Sequence, residues 1–232
     1  MKALLLAAGF GTRLRPLTEM IPKCMVPIHG KPLLEYWLDI LLPTYTEKVL
    51  INTHYLPDVV RRYVIASPWA NRIELVHEET LLGTGGTLLA NRAFLEDSAF
   101  LVAHADNLTR FDIAAFIAAH KTRPIGVEMT MMTFQTDAPS SCGIVEQDAE
   151  GRVIAFHEKV EHPPGHCANA AVYIMEPSVI DFMASCESSV IDLSTEVLPH
   201  YMGRIYGFHN GNYHRDIGTP ESLRLAEMEF LP

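Results

Sequence analysis

Two glycines and two cations lie close together near the start of the chain, in Leu6-Ala7-Ala8-Gly9-Phe10-Gly11-Thr12-Arg13-Leu14 and then Pro22-Lys23. Glycines placed just after a strand let the backbone approach a ligand and turn its N–H groups inward as an anion nest. Arg13 can bind phosphate oxygens in pairs, and Lys23 serves as a compact point charge. The pattern reads as a phosphate loop. It departs from the dinucleotide fingerprint, because Leu14 stands where the third glycine belongs, and no Gly-Lys-Ser/Thr follows as in a Walker loop. Alone, a Gly-x-Gly after a strand fits a tight turn as well.

Carboxylates form the second group. Asp106 follows an apolar run and Asp216 precedes a helix start; strand ends are where open α/β sheets bind ligands. Taken alone, Asp106 also suits a turn or a helix cap, and Glu158-Lys159 suits a solvated strand end. Other chemistries find less support. His157, His162, His166 and Cys167 carry metal donors, yet their spacing is irregular and Pro163-Pro164-Gly165 interrupts them, which predicts a solvated loop over a zinc site. Ser140-Ser141 lacks a GxSxG context. Met129, Met131 and Met132 read as core filling.

The elements that must position these residues alternate. The unbroken apolar run at 3–7 suits a central parallel strand, and the short apolar-rich stretches at 49–51, 73–76 and 100–103 read as further strands. Helical patterns follow them at 32–41, 57–64, 85–93 and 113–120, which makes a βα series. The second half changes character: strands at 127–134, 143–147, 153–158 and 168–175, with a hairpin turn at Asp148-Ala149-Glu150-Gly151. Thr219-Pro220 predicts an N-cap followed by Pro at the first helical position.

The chain has 232 residues, 48% of them hydrophobic and 20% charged, which argues against disorder and leaves ample material for a core. A formal charge of −10 argues against duplex nucleic acid as a partner. Four scattered cysteines without a CxxC pair predict free thiols in a reducing cytoplasm. The apolar start is too short for a signal peptide, and no run approaches a membrane span.

The segment from Leu6 to Thr18, Pro22-Lys23, Pro27, Lys31-Pro32 with Glu35, Leu82-Gly83-Thr84-Gly85-Gly86, Asp106-Asn107, Glu158-Lys159, Asn169-Ala170 and Asp216-Ile217-Gly218-Thr219-Pro220-Glu221 together closely resemble the sugar-1-phosphate nucleotidyltransferases, or nucleoside-diphosphate-sugar pyrophosphorylases. The motifs stand in the family's order and cover essentially the whole chain. The look is nearest to the guanylyltransferases of mannose 1-phosphate and heptose 1-phosphate. The resemblance implies a Rossmann-like, three-layer α/β/α fold of GT-A type with a mainly parallel mixed sheet. It implies a single domain over 1–232, with a nucleotide-binding half (1–125), a sugar-phosphate-binding half (126–232) and no C-terminal β-helix.

The implied reaction joins a nucleoside triphosphate to a sugar 1-phosphate and releases pyrophosphate, by in-line attack on the α-phosphorus. Such chemistry needs positioning and charge neutralisation above all. By resemblance, Asp106 and Asp216 hold Mg²⁺, with Mn²⁺ as a substitute. Arg13, Lys23 and Asp106 are the catalytic set. Leu6, Ala8, Gly9, Gly11, Thr12, Arg13, Lys23, Glu78, Gly83 and Thr84 bind the nucleotide. Asn107, Gly143, Glu158, Lys159 and Asn169 bind the sugar phosphate. Lys159 can reach that phosphate only if its strand bends, since neighbours in a regular strand point apart. A homodimer is compatible with this reading, with Trp37 and Trp69 open as core or interface residues.

Glu78 occupies the position that by resemblance reads the base. A carboxylate only accepts hydrogen bonds. Guanine offers two donors on one edge and cytosine offers its 4-amino group, whereas uracil and thymine flank one donor with carbonyl oxygens that a carboxylate repels. The order of expectation is GTP, then CTP, then UTP or dTTP; if Glu79 points inward instead, the register slips by one. The family's usual glycines are replaced by Ala105 and Ala171, and its usual aromatic residue by Cys142, so the sugar stays open. Two alternatives remain: a cytidylyl- or uridylyltransferase of the same fold, including the type acting on N-acetylmuramate or glucose 1-phosphate, and a non-catalytic sugar-nucleotide-binding regulatory subunit.

Overall fold

A computed structural model describes residues 1–231. The chain folds as two compact units. The first is assembled from Met1–Leu81, Ala103–Phe111 and the residues from Asn212 onward; the second from Leu82–Val102 and Asp112–Gly211.

In chain order the first stretch holds β1 (Ala3–Leu6), β2 (Pro27–Ile28), β3 (Lys31–Pro32), α1 (Leu33–Leu41), β4 (Val49–Thr53), α2 (Pro57–Ala66) and β5 (Ile73–His77). Next come α3 (Gly83–Ala90), α4 (Arg92–Leu95), β6 (Phe100–His104), β7 (Asn107–Arg110), α5 (Ile113–Lys121) and β8 (Met129–Gln135). The remainder holds β9 (Gly143–Gln147), β10 (Val153–Glu158), β11 (Cys167–Met175), α6 (Ser178–Ala184), β12 (Ile205–His209), β13 (Tyr213–Asp216) and α7 (Pro220–Glu229).

In the first unit β1 is buried along its whole length, as an apolar strand covered on both faces must be. It pairs in parallel with β4, Leu6 opposite Asn52, and β4 pairs in parallel with β5, Asn52 opposite Val76. α1 buries Leu33, Leu34, Trp37, Leu38 and Leu41, the stripe of a 3.6-residue period. Trp37 is thereby a core residue, its indole N–H donating to the Asn107 carbonyl at 2.9 Å. α7 starts as its sequence predicts: the Thr219 hydroxyl accepts the Ser222 N–H at 3.1 Å, and the Ser222 hydroxyl accepts the Thr219 N–H at 2.9 Å. Leu14, Val26, Ile28, Leu33, Leu108, Ile217, Ala226 and Phe230 form one buried cluster.

The second unit carries the mixed strands. β8 pairs antiparallel with β11 and parallel with β12, and β9 with β10 forms the expected hairpin. Asp148 closes its turn by accepting the N–H groups of Glu150 and Arg152 at 2.9 and 2.8 Å. Met129, Met131 and Met132 are fully buried, so core filling is what they do. The fold is therefore α/β with a mixed sheet and helices, as expected. Six elements of the described residues lie outside the sequence reading: the two-residue strands β2 and β3, then β7 and β13, which are too polar to show an apolar period, and β12 and the seven-residue α6. Among the described residues no helix is long and apolar enough to cross a membrane.

Candidate active site

β1 ends at Leu6 and the chain opens into the glycine loop. Ala7, Ala8 and Gly9 leave the strand, and Gly11 adopts a left-handed φ of 63° before the short helical turn Thr12–Leu14. A Cβ at Gly11 would lie 3.0 Å from the Thr18 methyl and 3.2 Å from the Lys23 Cβ, so glycine is required there twice over. The Thr18 hydroxyl fixes the loop by donating to the Gly11 carbonyl at 2.7 Å. Phe10, at the loop tip, lies edge-on against His54, with ring centroids 5.2 Å apart.

Lys23 is the centre of the first unit's polar cluster. Its ammonium lies 2.6 Å from Asp106 Oδ2 and 2.8 Å from Asp216 Oδ1. Burial alone would lower the pKa of this lysine; the two carboxylates outweigh it and raise the value above the ordinary one. Burial works against the Asp106 charge in the same way, and Lys23 reverses that, so the Asp106 pKa falls. Arg13 approaches Asp216 Oδ2 at 3.9 Å from a solvent-exposed position.

The aspartates meet because β7 and β13 pair antiparallel, with Asn107 opposite Asp216, and because the Ile217 N–H donates to the Asp106 carbonyl. Ala105, where a glycine was expected, is fully buried, and its N–H donates to the Leu6 carbonyl at 2.9 Å. Gly218 is needed for space: a Cβ there would lie 2.7 Å from Asp216 Oδ2 and 2.8 Å from Arg13 Nη2. Two carboxylates closed on one ammonium form a donor set that suits a hard divalent cation retained by few protein ligands.

Glu78 follows β5 and is buried, whereas Glu79 is exposed. Its N–H donates to the Thr53 carbonyl at 2.8 Å and its own carbonyl accepts from His54 Nδ1 at 2.7 Å. The Asn52 amide donates to Glu78 Oε1 at 2.9 Å. Sequence reasoning passed over Asn52; its one signal is a polar residue continuing the apolar run Val49-Leu50-Ile51.

The second unit carries the remaining expected residues. Glu158 ends β10 opposite Gly143, where a Cβ would lie 2.6 Å from Glu158 Oε2. Lys159 then takes a left-handed φ of 49°, the local bend that its expected role requires, and its ammonium lies 3.0 Å from Glu158 Oε1. Asn169 secures a bulge in β11: its side-chain oxygen accepts the Ala171 N–H at 2.9 Å, and its amide donates to the Tyr173 hydroxyl at 2.6 Å. Ala171 has a φ of 52°, which explains why glycine suits this position. Gly83, with φ 74°, leaves no room for a side chain beside the Ile191 carbonyl, and the Thr84 hydroxyl accepts the Leu193 N–H at 2.7 Å. Both therefore anchor the 191–193 segment as well. Among the described residues, three or more His, Cys, Asp or Glu nowhere cluster as metal ligands.

The model of the nucleotidyl transferase family matches residues 2–231. A mannose-1-phosphate guanylyltransferase of Mycobacterium tuberculosis is 35% identical over 95% of the chain, which spans only 62% of that relative's length. The crystal structure of HddC from Yersinia pseudotuberculosis superposes with a TM-score of 0.78 at 26% identity, covering 99% of both chains, and this protein has also been crystallised with GMP-PN. A UDP-glucose pyrophosphorylase in its apo form, at 21% identity, shares the fold with a TM-score of 0.82 over 99% of this chain and 98% of its own.

Proposed function

The chain belongs to the nucleotidyl transferase family, and from that premise we propose that it transfers a guanylyl group from GTP to a sugar 1-phosphate, giving a GDP-sugar and pyrophosphate. The observation that carries the reading is the closure of Asp106 and Asp216 around one cation beside the glycine loop. Mannose 1-phosphate is the first candidate acceptor, by similarity to the curated relatives. The product is an activated sugar for glycan assembly.

Arg13, exposed at the loop, neutralises the β- and γ-phosphates as pyrophosphate leaves. Lys23 serves the α-phosphate, where charge develops during in-line attack. Asp106 and Asp216 are the residues that hold Mg²⁺, or Mn²⁺ in its place, and the bound ion supplies further neutralisation of phosphate charge. The backbone of Leu6, Ala8, Gly9, Gly11 and Thr12 cradles the triphosphate, with Gly83 and Thr84 contributing to nucleotide binding. Glu158 accepts from two vicinal sugar hydroxyls, Lys159 meets the sugar's phosphate, and Asn107, Gly143 and Asn169 complete that subsite. The buried register of Glu78, with Glu79 outside, supports the carboxylate as base reader and favours guanine. The four cysteines are free thiols, which suits the reducing cytoplasm.

Pyrophosphate release tests the proposal. GTP, CTP, UTP, dTTP and ATP are crossed with mannose, heptose, glucose and N-acetylmuramate 1-phosphates, with Asp106→Asn as control. Release with GTP and one sugar, lost in the control, supports it. Release with CTP or UTP alone keeps the reaction type and rejects the base. Tight GDP-sugar binding without any release points to the regulatory subunit.

A further inference from the structure

One buried amide joins the glycine loop to Glu78. Asn52 sits at the end of β4, between the ends of β1 and β5. Its side-chain oxygen accepts the Ala7 N–H at 2.7 Å, and its amide nitrogen donates to Glu78 Oε1 at 2.9 Å. Asn52 is 2% exposed and Glu78 6%, so water does not substitute easily for either bond.

A carboxamide presents one acceptor and one donor in a single plane. Rotating it by half a turn would set NH₂ against the Ala7 N–H and oxygen against the carboxylate, so each bond enforces the other. The Glu78 backbone is already fixed at both its N–H and its carbonyl. The freedom left to the residue is the set of its side-chain dihedrals, and Asn52 acts on that freedom.

We propose that Asn52 is the positioning residue for base specificity: it orients the Glu78 carboxylate toward two donors on the Watson–Crick edge of the base and ties that orientation to the loop that takes the phosphates. The inference rests on the reading of Glu78 as the base reader. A carboxylate has about four lone-pair sites, so the bond from Asn52 does not exhaust its capacity to accept from a base. The link also sets the spacing between base and phosphates, since Ala7 begins the loop.

The test compares GTP with ITP, which lacks the guanine 2-amino group, at fixed sugar 1-phosphate and Mg²⁺. Steady-state kcat and KM are measured for the parent protein, Glu78→Gln, Asn52→Ala and Asn52→Leu. Asn52→Leu is close in shape to asparagine and removes the donor to Glu78 outright, whereas an aspartate there would share a proton with the buried Glu78 carboxylate and keep a donor. The parent is expected to favour GTP by roughly tenfold or more in kcat/KM, the discrimination of a good bidentate contact. Both Asn52 variants are expected to lose most of that preference through a rise in the KM for GTP, with kcat within about threefold of the parent.

An unchanged preference in an Asn52 variant, beside its loss in Glu78→Gln, overturns the inference and leaves the base reading standing. A parent without the preference, or a Glu78→Gln variant that retains it, overturns the base reading and the inference with it. Loss of the fold in both Asn52 variants, judged by thermal unfolding, overturns the inference in favour of a purely structural role.

Discussion

Lys23 is buried to 10% side-chain exposure with two carboxylates on its ammonium. Removing the lysine leaves two carboxylates facing each other without their shared cation, Asp106 largely buried and Asp216 half-exposed. Lys23→Met is expected to lower kcat/KM for nucleotidyl transfer on the order of a hundredfold to a thousandfold, the usual result of deleting a charge-stabilising donor; pyrophosphate release measures it. Gly218→Ala acts by crowding, since its Cβ would meet Asp216 and Arg13 at once. Activity should fall about tenfold while stability changes by no more than about 0.5 kcal/mol, because the atoms displaced are side-chain ends. At this scale the sequence singled out the glycine loop and both aspartates through their motifs and Glu78 by resemblance, and the structure brings Asp106 and Asp216 together on Lys23. The sequence did not show Asn52, whose polar group sits within a strand and outside any motif, nor that Lys23 spans both aspartates, which depends on pairing between distant segments.

Among the elements, the main strands and helices were legible because apolar runs and periodic stripes mark them. β7 and β13 were not: Asn107-Leu108-Thr109-Arg110 and Tyr213-His214-Arg215-Asp216 become strands by pairing with each other, a long-range event that local pattern does not encode. The bulge in β11 gives a prediction of its own. Ala171 stands in left-handed backbone, which costs a non-glycine residue about 1–2 kcal/mol, and glycine returns part of that as chain entropy in the unfolded state. Ala171→Gly should stabilise the protein by about 0.5 kcal/mol, read as a shift of the urea midpoint at constant slope. Thr219→Ala removes the side-chain acceptor of the Ser222 N–H in the helix cap and should cost about 1 kcal/mol.

For the whole molecule, the balance of acid and base sets an acid limit. Burial, with Arg123 beside it, pushes the His120 pKa down to about 4. The unfolded chain takes up that proton near pH 6.5. The His120 contribution to stability is therefore full above about pH 6.5 and is lost as pH drops toward 4. In His120→Asn, unfolding free energy measured across that window should vary less with pH. The fold class, the free cysteines and the acidic balance were all legible at this scale. The division into two units was not, because one of them is discontinuous in sequence.

That discontinuity bears on how the protein comes into being. Chains are made from the N-terminus and tend to gain structure as they emerge. The strand Asn107–Arg110 is synthesised early, but its partner Tyr213–Asp216 emerges only after all of Asp112–Gly211 has been translated. Until then the strand edge stays exposed, a template for mispairing, and Lys23 has one of its two aspartates. A nascent chain shorter than this carries the glycine loop and Glu78 without the second carboxylate, which the proposed function requires. Ribosome-stalled chains ending at residue 211 should bind nucleotide weakly and release no pyrophosphate, which makes catalytic competence one of the last properties acquired in synthesis.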